Sequence, residues 1–460
     1  MTPLLQGADD TIAALATPQG TGALGIIRLS GPKALEIAGG VFRGADLRAQ
    51  KSHTIHFGRI AEGDEVIDEV LASVFIAPHS YTREDVVEFS CHGSRYILDR
   101  ILRLLLSKGA RLAKPGEFTL RAFLRGQFDL AQAEAVADLI ASESEAAHRS
   151  AMQQMRGGFS MEIKRLREEL VHFASMIELE LDFGEEDVEF ASRDQLRALV
   201  TDIHRTVSRL TESFRLGNVV KNGVPTVIAG KPNAGKSTLL NALLNEEKAI
   251  VSDIPGTTRD FIEDEIHIQG ISFRFIDTAG IREARDKIEA IGIQRTREKM
   301  QAASLIIYLF DLSHETPEEV AHEVQKLDAL GIPYLKVGNK TDAARPELLE
   351  TLTARYPEMV FISAKKEEHI EDLKNRLVEA IHLGRVRPGD TLVTNARHFE
   401  SLDMTRRALE DVLAGLDARR TGDLLALDLR QALHYLGEIT GEITTDDLLE
   451  NIFSKFCIGK

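Results

Sequence analysis

Eight consecutive residues, GKPNAGKS from Gly230 to Ser237, have the composition of a phosphate cradle. Its glycines let backbone N–H groups turn inward around an anion, so Asn233, Ala234, Gly235, Lys236, Ser237 and Thr238 are expected to surround a polyphosphate. Lys236 supplies a point charge to the β and γ oxygens, and the Ser237 hydroxyl a ligand for Mg²⁺. Three more groups follow in order, each at the end of an apolar run. Asp277, Thr278, Ala279 and Gly280 close ISFRFI; the aspartate can reach Mg²⁺ through water, and the Gly280 N–H can meet the γ-phosphate. Asn339, Lys340 and Asp342 lie in NKTD after PYLKVG, where the Asp342 carboxylate can accept from the N1–H and 2-amino group of guanine, donors that adenine lacks. Ser363, Ala364 and Lys365 can add a backbone donor to the guanine oxygen. Each piece alone is weak. Their ordered placement at strand ends predicts GTP as the ligand.

The set resembles the translation-factor branch of GTPases. Ras-like enzymes place a water-orienting glutamine just after Asp-x-x-Gly, but Ile281 stands there and cannot perform that task. Another route to hydrolysis is needed. Asn233 can coordinate a monovalent cation, over which SDIPGTTRD would close. That segment contributes Ser252, Asp253, Ile254, Pro255, Gly256 and Thr257 around the nucleotide. Carbonyls and hydroxyls at Ser252, Ile254 and Thr257 would face the cation, and Thr258 would face Mg²⁺. Beyond Asp277 lies Glu289, a general base or water-orienting acid in one reading and a solvated helix residue in the more ordinary one.

The elements around these groups change character along the chain. Residues 1–123 alternate strand-like runs (GALGIIRLS, HTIHFGRI, VLASVFIAP, DVVEFSCHG) with a helix over Tyr96–Lys108 that stops at Gly109, and read as a small α/β domain. Residues 124–220 lose their punctuation and carry apolar residues at three- and four-residue intervals, the pattern of long helices. Residues 221–384 alternate strands and helices, including a hairpin at Gln269-Gly270, and predict a doubly wound sheet. Residues 385–460 are helical again and are expected to pack with 124–216. The fold class is therefore multidomain α/β plus all-α, with a Ras-like GTPase domain inserted in a discontinuous helical domain. The stretch from Glu178 to Phe190 holds seven acidic residues in thirteen, read as a solvated helix end rather than a metal site.

Composition sets the outer bounds. A length of 460 residues suggests about three domains, and 43% hydrophobic with 28% charged residues excludes a disordered chain. A net charge of −16 argues against a protein that coats nucleic acid indiscriminately. Two cysteines, Cys91 and Cys457, cannot build a four-thiolate zinc site and fit a reducing compartment. The start, MTPLLQGADDTIAAL, lacks a signal peptide's basic and apolar regions, and no apolar run approaches a membrane span. A cytoplasmic protein without membrane association is expected. Cys457, near Lys460, reads either as an accessible thiolate or as a buried, unreactive cysteine, and Cys91 as an interior small residue.

PNAGKS, PGTTRD, DTAGIRE, the helical flanks and the terminal FCIGK closely resemble the MnmE (TrmE) family of tRNA wobble-uridine modification GTPases. DTIAALATPQGTGALGIIRLSGP, APHSYTREDVVEFSCHG and PGEFTLRAFLRGQFDLAQAEAVADLI are similar to its N-terminal domain and the entry to its helical domain. The acidic LDFGEEDV is similar to its helical linker. The resemblance implies an N-terminal domain that dimerises and binds a 5-formyl- or 5,10-methylene-tetrahydrofolate one-carbon donor. It implies K⁺-dependent pairing of G domains in a homodimer, and a flavin- and NADH-dependent partner, MnmG. Together these install an aminomethyl-type group at C5 of the tRNA wobble uridine. By motif, the K⁺ ligands are Asn233, Ser252, Ile254 and Thr257, and Glu289 is the catalytic glutamate. Folate contacts fall on Arg28, Glu84, Gln127 and Lys460, with Gln127 standing where relatives often carry lysine. The terminal Cys-x-Gly-Lys implicates Cys457 in modification. A competing reading is a ribosome-assembly GTPase that binds RNA without chemistry, which would carry a basic module not evident here.

Overall fold

The computed structural model describes residues 10–182, 192–248, 264–276, 303–329, 331–381 and 391–459. They form two compact units. One comprises Met1–Ile140, Gln153–Val207 and Ser401–Lys460; the other comprises Ala141–Met152 and Ser208–Glu400.

The first unit is built on a seven-stranded sheet. Its strands are β1 (Ile12–Leu15), β2 (Leu24–Ser30), β3 (Phe42–Arg43), β4 (Thr54–Glu62), β5 (Glu65–Phe75), β6 (Val86–His92) and β7 (Arg111–Leu112). They lie in the order β3-β4-β5-β6-β2-β1-β7, antiparallel except for the β1–β7 pair. The four strand-like runs read in the sequence are β2, β4, β5 and β6. Alternation in β6 sends Val87, Phe89 and Cys91 inward, where they meet Ile27 and Leu29 of β2 in one apolar cluster. Two helices join that cluster: α1 (Ala34–Val41) and α2 (Arg95–Ser107), the latter burying Leu98, Ile101, Leu104 and Leu105 at helical spacing. Burial, with a smaller contribution from Asp68, pushes the Cys91 thiol up to about 12, so this cysteine is an inert core residue.

Three helices follow in this unit: α3 (Glu117–Leu124), α4 (Leu130–Ala141) and, after α5 (Glu145–Met155), α6 (Gly158–Asp182). α6 buries Ile163, Leu166, Leu170, Ala174 and Ile177, one stripe at three- and four-residue spacing. The next helix, α7, spans Arg193–Asn222. Near the chain end come α12 (Ala396–Asp417), α13 (Gly422–Thr440), which packs on α6, and α14 (Asp446–Phe453), which clusters with Leu120 of α3 and Leu130 and Ala133 of α4; α8 to α11 belong to the other unit and are given below. α13 buries Leu425, Leu429, Ala432, Leu436 and Ile439, and ion pairs Arg430–Glu178 (3.2 Å) and Arg167–Glu442 (2.5 Å) tie it and the residue just beyond it to α6. Thus the C-terminal helices do pack with the earlier helical stretch. The acidic run from Glu178 to Phe190 lies largely outside the described residues. Among those described, no helix is long and apolar enough to cross a membrane.

The second unit centres on a six-stranded sheet: β8 (Val224–Gly230), β9 (Asp264–Ile268), β10 (Ile271–Phe275), β11 (Leu305–Asp311), β12 (Tyr334–Asn339) and β13 (Val360–Phe361). Their order is β13-β12-β11-β8-β10-β9, parallel except for the β9–β10 hairpin. Its helices are α8 (Lys236–Lys248), α9 (Pro317–Asp328), α10 (Pro346–Arg355) and α11 (Ile370–Ala380). All seven residues of β11 are buried, because a central parallel strand has both faces covered; hence its continuous apolar run. The switch of strand order places the ends of β8, β11, β12 and β13 around one crevice, the usual ligand position in such sheets.

Candidate functional site

The crevice is organised by the turn between β8 and α8. Asn233 (φ 64°) and Gly235 (φ 97°) take left-handed backbone conformations, which curl the chain back before α8 begins at Lys236. A Cβ on Gly235 would lie 2.3 Å from Asn339 Nδ2, so only glycine permits this approach. Lys236 Nζ donates to the carbonyls of Gly230 and Lys231, each at 3.0 Å. Burial holds its ammonium below the ordinary lysine range, a charge that a polyphosphate would stabilise. Ser237 sits in the first turn of α8, beside the cradle, where its hydroxyl would serve Mg²⁺.

Base-side residues are joined to the cradle directly. Asn339 is buried at the end of β12; its Nδ2 donates to Ala234 O at 2.8 Å, and its Oδ1 accepts from Ala364 N at 3.0 Å. One amide therefore connects the phosphate turn to the turn after β13. Lys340 follows in the left-handed region (φ 66°), projecting the chain toward Asp342. The Ser363 hydroxyl donates to Asp342 Oδ1 at 2.8 Å and holds the carboxylate below its usual range, ionised and able to accept further donors. Ala234, Asn339 and Ala364 are thus brought together, with Gly235 and Lys236 next to Ala234 in the chain and Asp342 bonded to Ser363 beside Ala364. Lys365 lies in the same turn. Among the predicted groups, Ser252 to Thr258, Asp277 to Gly280 and Glu289 lie outside the described residues. Of the four residues assigned to K⁺, Asn233 alone is among those described.

The first unit carries an open cavity of about 810 Å³, lined by Phe75, Tyr81, His53, His79, Arg83 and Gln127 among others. Arg83 Nε donates to Gln127 Oε1 at 2.9 Å. Arg28 lies 5.6 Å from the Tyr81 ring centroid, pairs with Glu88 at 2.6 Å, and donates to Gly459 O at 3.3 Å. Glu84 does not line the cavity. It is buried, accepting from Ser30 Oγ (2.6 Å), Arg125 Nη2 (2.6 Å) and Arg121 Nη1 (3.3 Å), and organises the wall behind it. The exposed Cys457 is anchored through its carbonyl, which accepts from Gly116 N at 3.3 Å. Gly459 follows at φ 95°, where a Cβ would meet Leu15 O at 2.2 Å, so the tail is pressed onto β1. Lys460 is outside the described residues. Sequence reasoning did not single out His53, Phe75, His79, Tyr81 and Arg83 as cavity-lining residues; His79, Tyr81 and Arg83 lie in the HSYTRED loop between β5 and β6, while His53 and Phe75 come from outside it.

Glu117, buried beside this wall, gives a pH prediction. Burial raises its pKa, but hydrogen bonds from Arg111 and the Lys114 N–H, with the nearby Arg121 charge, outweigh it and hold the carboxyl below its ordinary 4.5. A depressed carboxylate contributes stability that is complete above its unfolded value and is lost as pH falls through the folded one. The unfolding temperature of the wild type should therefore drop more steeply below about pH 4.5 than that of Glu117→Gln. Parallel curves from thermal denaturation would refute the coupling.

A parallel sheet carrying this cradle and an aspartate-lined base pocket defines a P-loop nucleotide-binding domain. Comparison with known proteins narrows the class. A family model described as the MnmE helical domain matches residues 130–457, and one described as the GTP-binding protein TrmE N-terminus matches 11–127. The tRNA modification GTPase MnmE of Cytophaga hutchinsonii is 62% identical over 451 residues, covering 98% of each chain. Those of Christiangramia forsetii and Bacteroides thetaiotaomicron are 55% and 52% identical, covering 98% of this chain and 99% of their own. The chain belongs to the MnmE family.

Proposed function

We propose that this protein hydrolyses GTP and uses the cycle to drive modification of the tRNA wobble uridine. The observation that supports the GTP assignment is the Asn339 amide joining the phosphate turn to the turn after β13, beside which Asp342 accepts from Ser363; Asp342 is assigned the guanine contact. Lys236 neutralises the β and γ oxygens, and Ser237 with Thr258 holds Mg²⁺. With Ile281 unable to orient water, Glu289 takes that role as catalytic glutamate. Asn233, Ser252, Ile254 and Thr257 hold K⁺. Bound metal ions supply charge neutralisation where an arginine finger would otherwise act. G domains pair across the nucleotide face of a homodimer.

The first unit's cavity is assigned to the reduced folate, which supplies the one-carbon unit. Gln127 and Arg83 line it, and Arg28 stands beside Tyr81. Cys457 is assigned to the modification step with MnmG, a reading supported by its exposure on a tail whose Gly459 carbonyl accepts from Arg28. Support for the tRNA reading comes from family membership across both family models. GTP turnover by the full chain should be at least about tenfold faster in K⁺ than in Na⁺, the loss of one transition-state charge contact. Equal rates would remove the cation assignment. Unmodified wobble uridine in cells lacking the protein, restored by wild type and not by Glu289→Ala, tests the biological half.

A further inference from the structure

The turn after β11 carries two buried acids that the nucleotide reading leaves unused. Asp311 and Glu315 are 5% and 7% exposed. The turn is locked internally: Glu315 N donates to Asp311 O at 2.9 Å, and Asp311 N donates to Glu315 Oε1 at 2.9 Å. The second carboxylate oxygen of Glu315 lies 3.2 Å from Lys231 Nζ, on the residue that follows Gly230 in the phosphate cradle. Asp311 faces the other loop. Its Oδ2 accepts from Lys340 Nζ at 2.5 Å, while Oδ1 accepts from the Ser313 N–H and hydroxyl at 3.0 and 2.5 Å. Between the acids, Leu312 N donates to Asn339 O at 3.1 Å.

Three residues of this turn, Asp311, Leu312 and Glu315, therefore hold both nucleotide loops. Lys231 is no adventitious partner. Its carbonyl accepts from Lys236 Nζ and from Ala234 N, so where its side chain is anchored decides where the cradle's first turn lies. Lys340 occupies a left-handed position two residues before Asp342, and its side chain is fixed by Asp311. Buried acids are tolerated when paired and hydrogen-bonded, and each of these is paired to a lysine of one loop.

We propose that Asp311 and Glu315 are positioning residues for guanine-nucleotide binding. Glu315 sets the phosphate cradle through Lys231, and Asp311 sets the base pocket through Lys340. The proposal rests on the GTP reading above and adds the residues that give it affinity and selectivity. The two acids have different signatures, because one serves phosphates common to all nucleotides and the other serves the base.

Titration calorimetry on the full chain, with GDP and inosine diphosphate as probes, separates them. Inosine diphosphate lacks the 2-amino group that Asp342 reads. Glu315→Gln should weaken both diphosphates equally, by about tenfold, from loss of its close ion pair with Lys231. Asp311→Asn should weaken GDP by about tenfold and inosine diphosphate by less than about threefold, narrowing the preference. For both variants KM for GTP should rise while kcat at saturation stays within about threefold, since transition-state contacts are retained. Lys231→Met should reproduce Glu315→Gln, and the pair combined should be no worse than either alone. Where an acid variant fails to fold, as judged by thermal unfolding without nucleotide, Lys231→Met and Lys340→Met give the same comparison. Affinities within about twofold of wild type overturn the proposal, as does an equal loss of both diphosphates in Asp311→Asn. A wild type that binds neither diphosphate would instead remove the GTP reading itself.

Discussion

Gly235→Ala is expected to abolish detectable GDP binding while the chain stays folded. The backbone at Gly235 has φ 97°, a conformation that L side chains rarely adopt, at a cost of ~1–3 kcal/mol. The added Cβ would sit 2.3 Å from Asn339 Nδ2, inside any allowed contact. Either the cradle opens or Asn339 withdraws, and withdrawal breaks its bonds to Ala234 and Ala364. Strain and lost hydrogen bonding together weaken affinity by at least about a hundredfold. Calorimetric titration with GDP checks this; a variant binding within about tenfold of wild type would mean the turn can relax without the amide.

Asn339→Ala is the second large effect. Truncation leaves the Ala234 carbonyl and the Ala364 N–H, both buried, without the partners they have now. Each such loss costs ~1–3 kcal/mol, so GTP affinity should fall by about two to three orders of magnitude and the unfolding temperature should drop. Serine in its place offers one short hydroxyl and should recover little, because the two contacts are on separate loops. Calorimetry and thermal denaturation on the same sample distinguish this from a purely local base contact, which would lower affinity and leave the unfolding temperature unchanged.

The nucleotide crevice was largely legible because its chemistry is local in sequence. GKPNAGKS, NKTD and SAK each sit at the end of an apolar strand, and the parallel order of those strands brings them together. Strand periodicity located β2, β4, β5 and β6, and the Gln269-Gly270 turn located the β9–β10 hairpin. The two-residue strands β3 and β7 escaped, since two residues carry no period. What the sequence did not disclose was support supplied through space. Asp311 and Glu315 read as an ordinary strand end and a residue before a capped helix. Their partners Lys340 and Lys231 arrive from other strands. Glu84 is instructive in the same way. Its motif suggests a ligand contact, yet Arg121 and Arg125, both on or beside α3, occupy its carboxylate.

That a single amide serves two loops limits how the enzyme can be retargeted. On the GTP reading proposed above, an orthogonal variant selective for an unnatural purine is to be sought at Asp342, which accepts from the Ser363 hydroxyl in the adjoining turn. Grafting a foreign recognition segment across position 339 would release the phosphate turn along with the base. Any chimera must inherit the asparagine together with the backbone at 234 and 364, as one indivisible module.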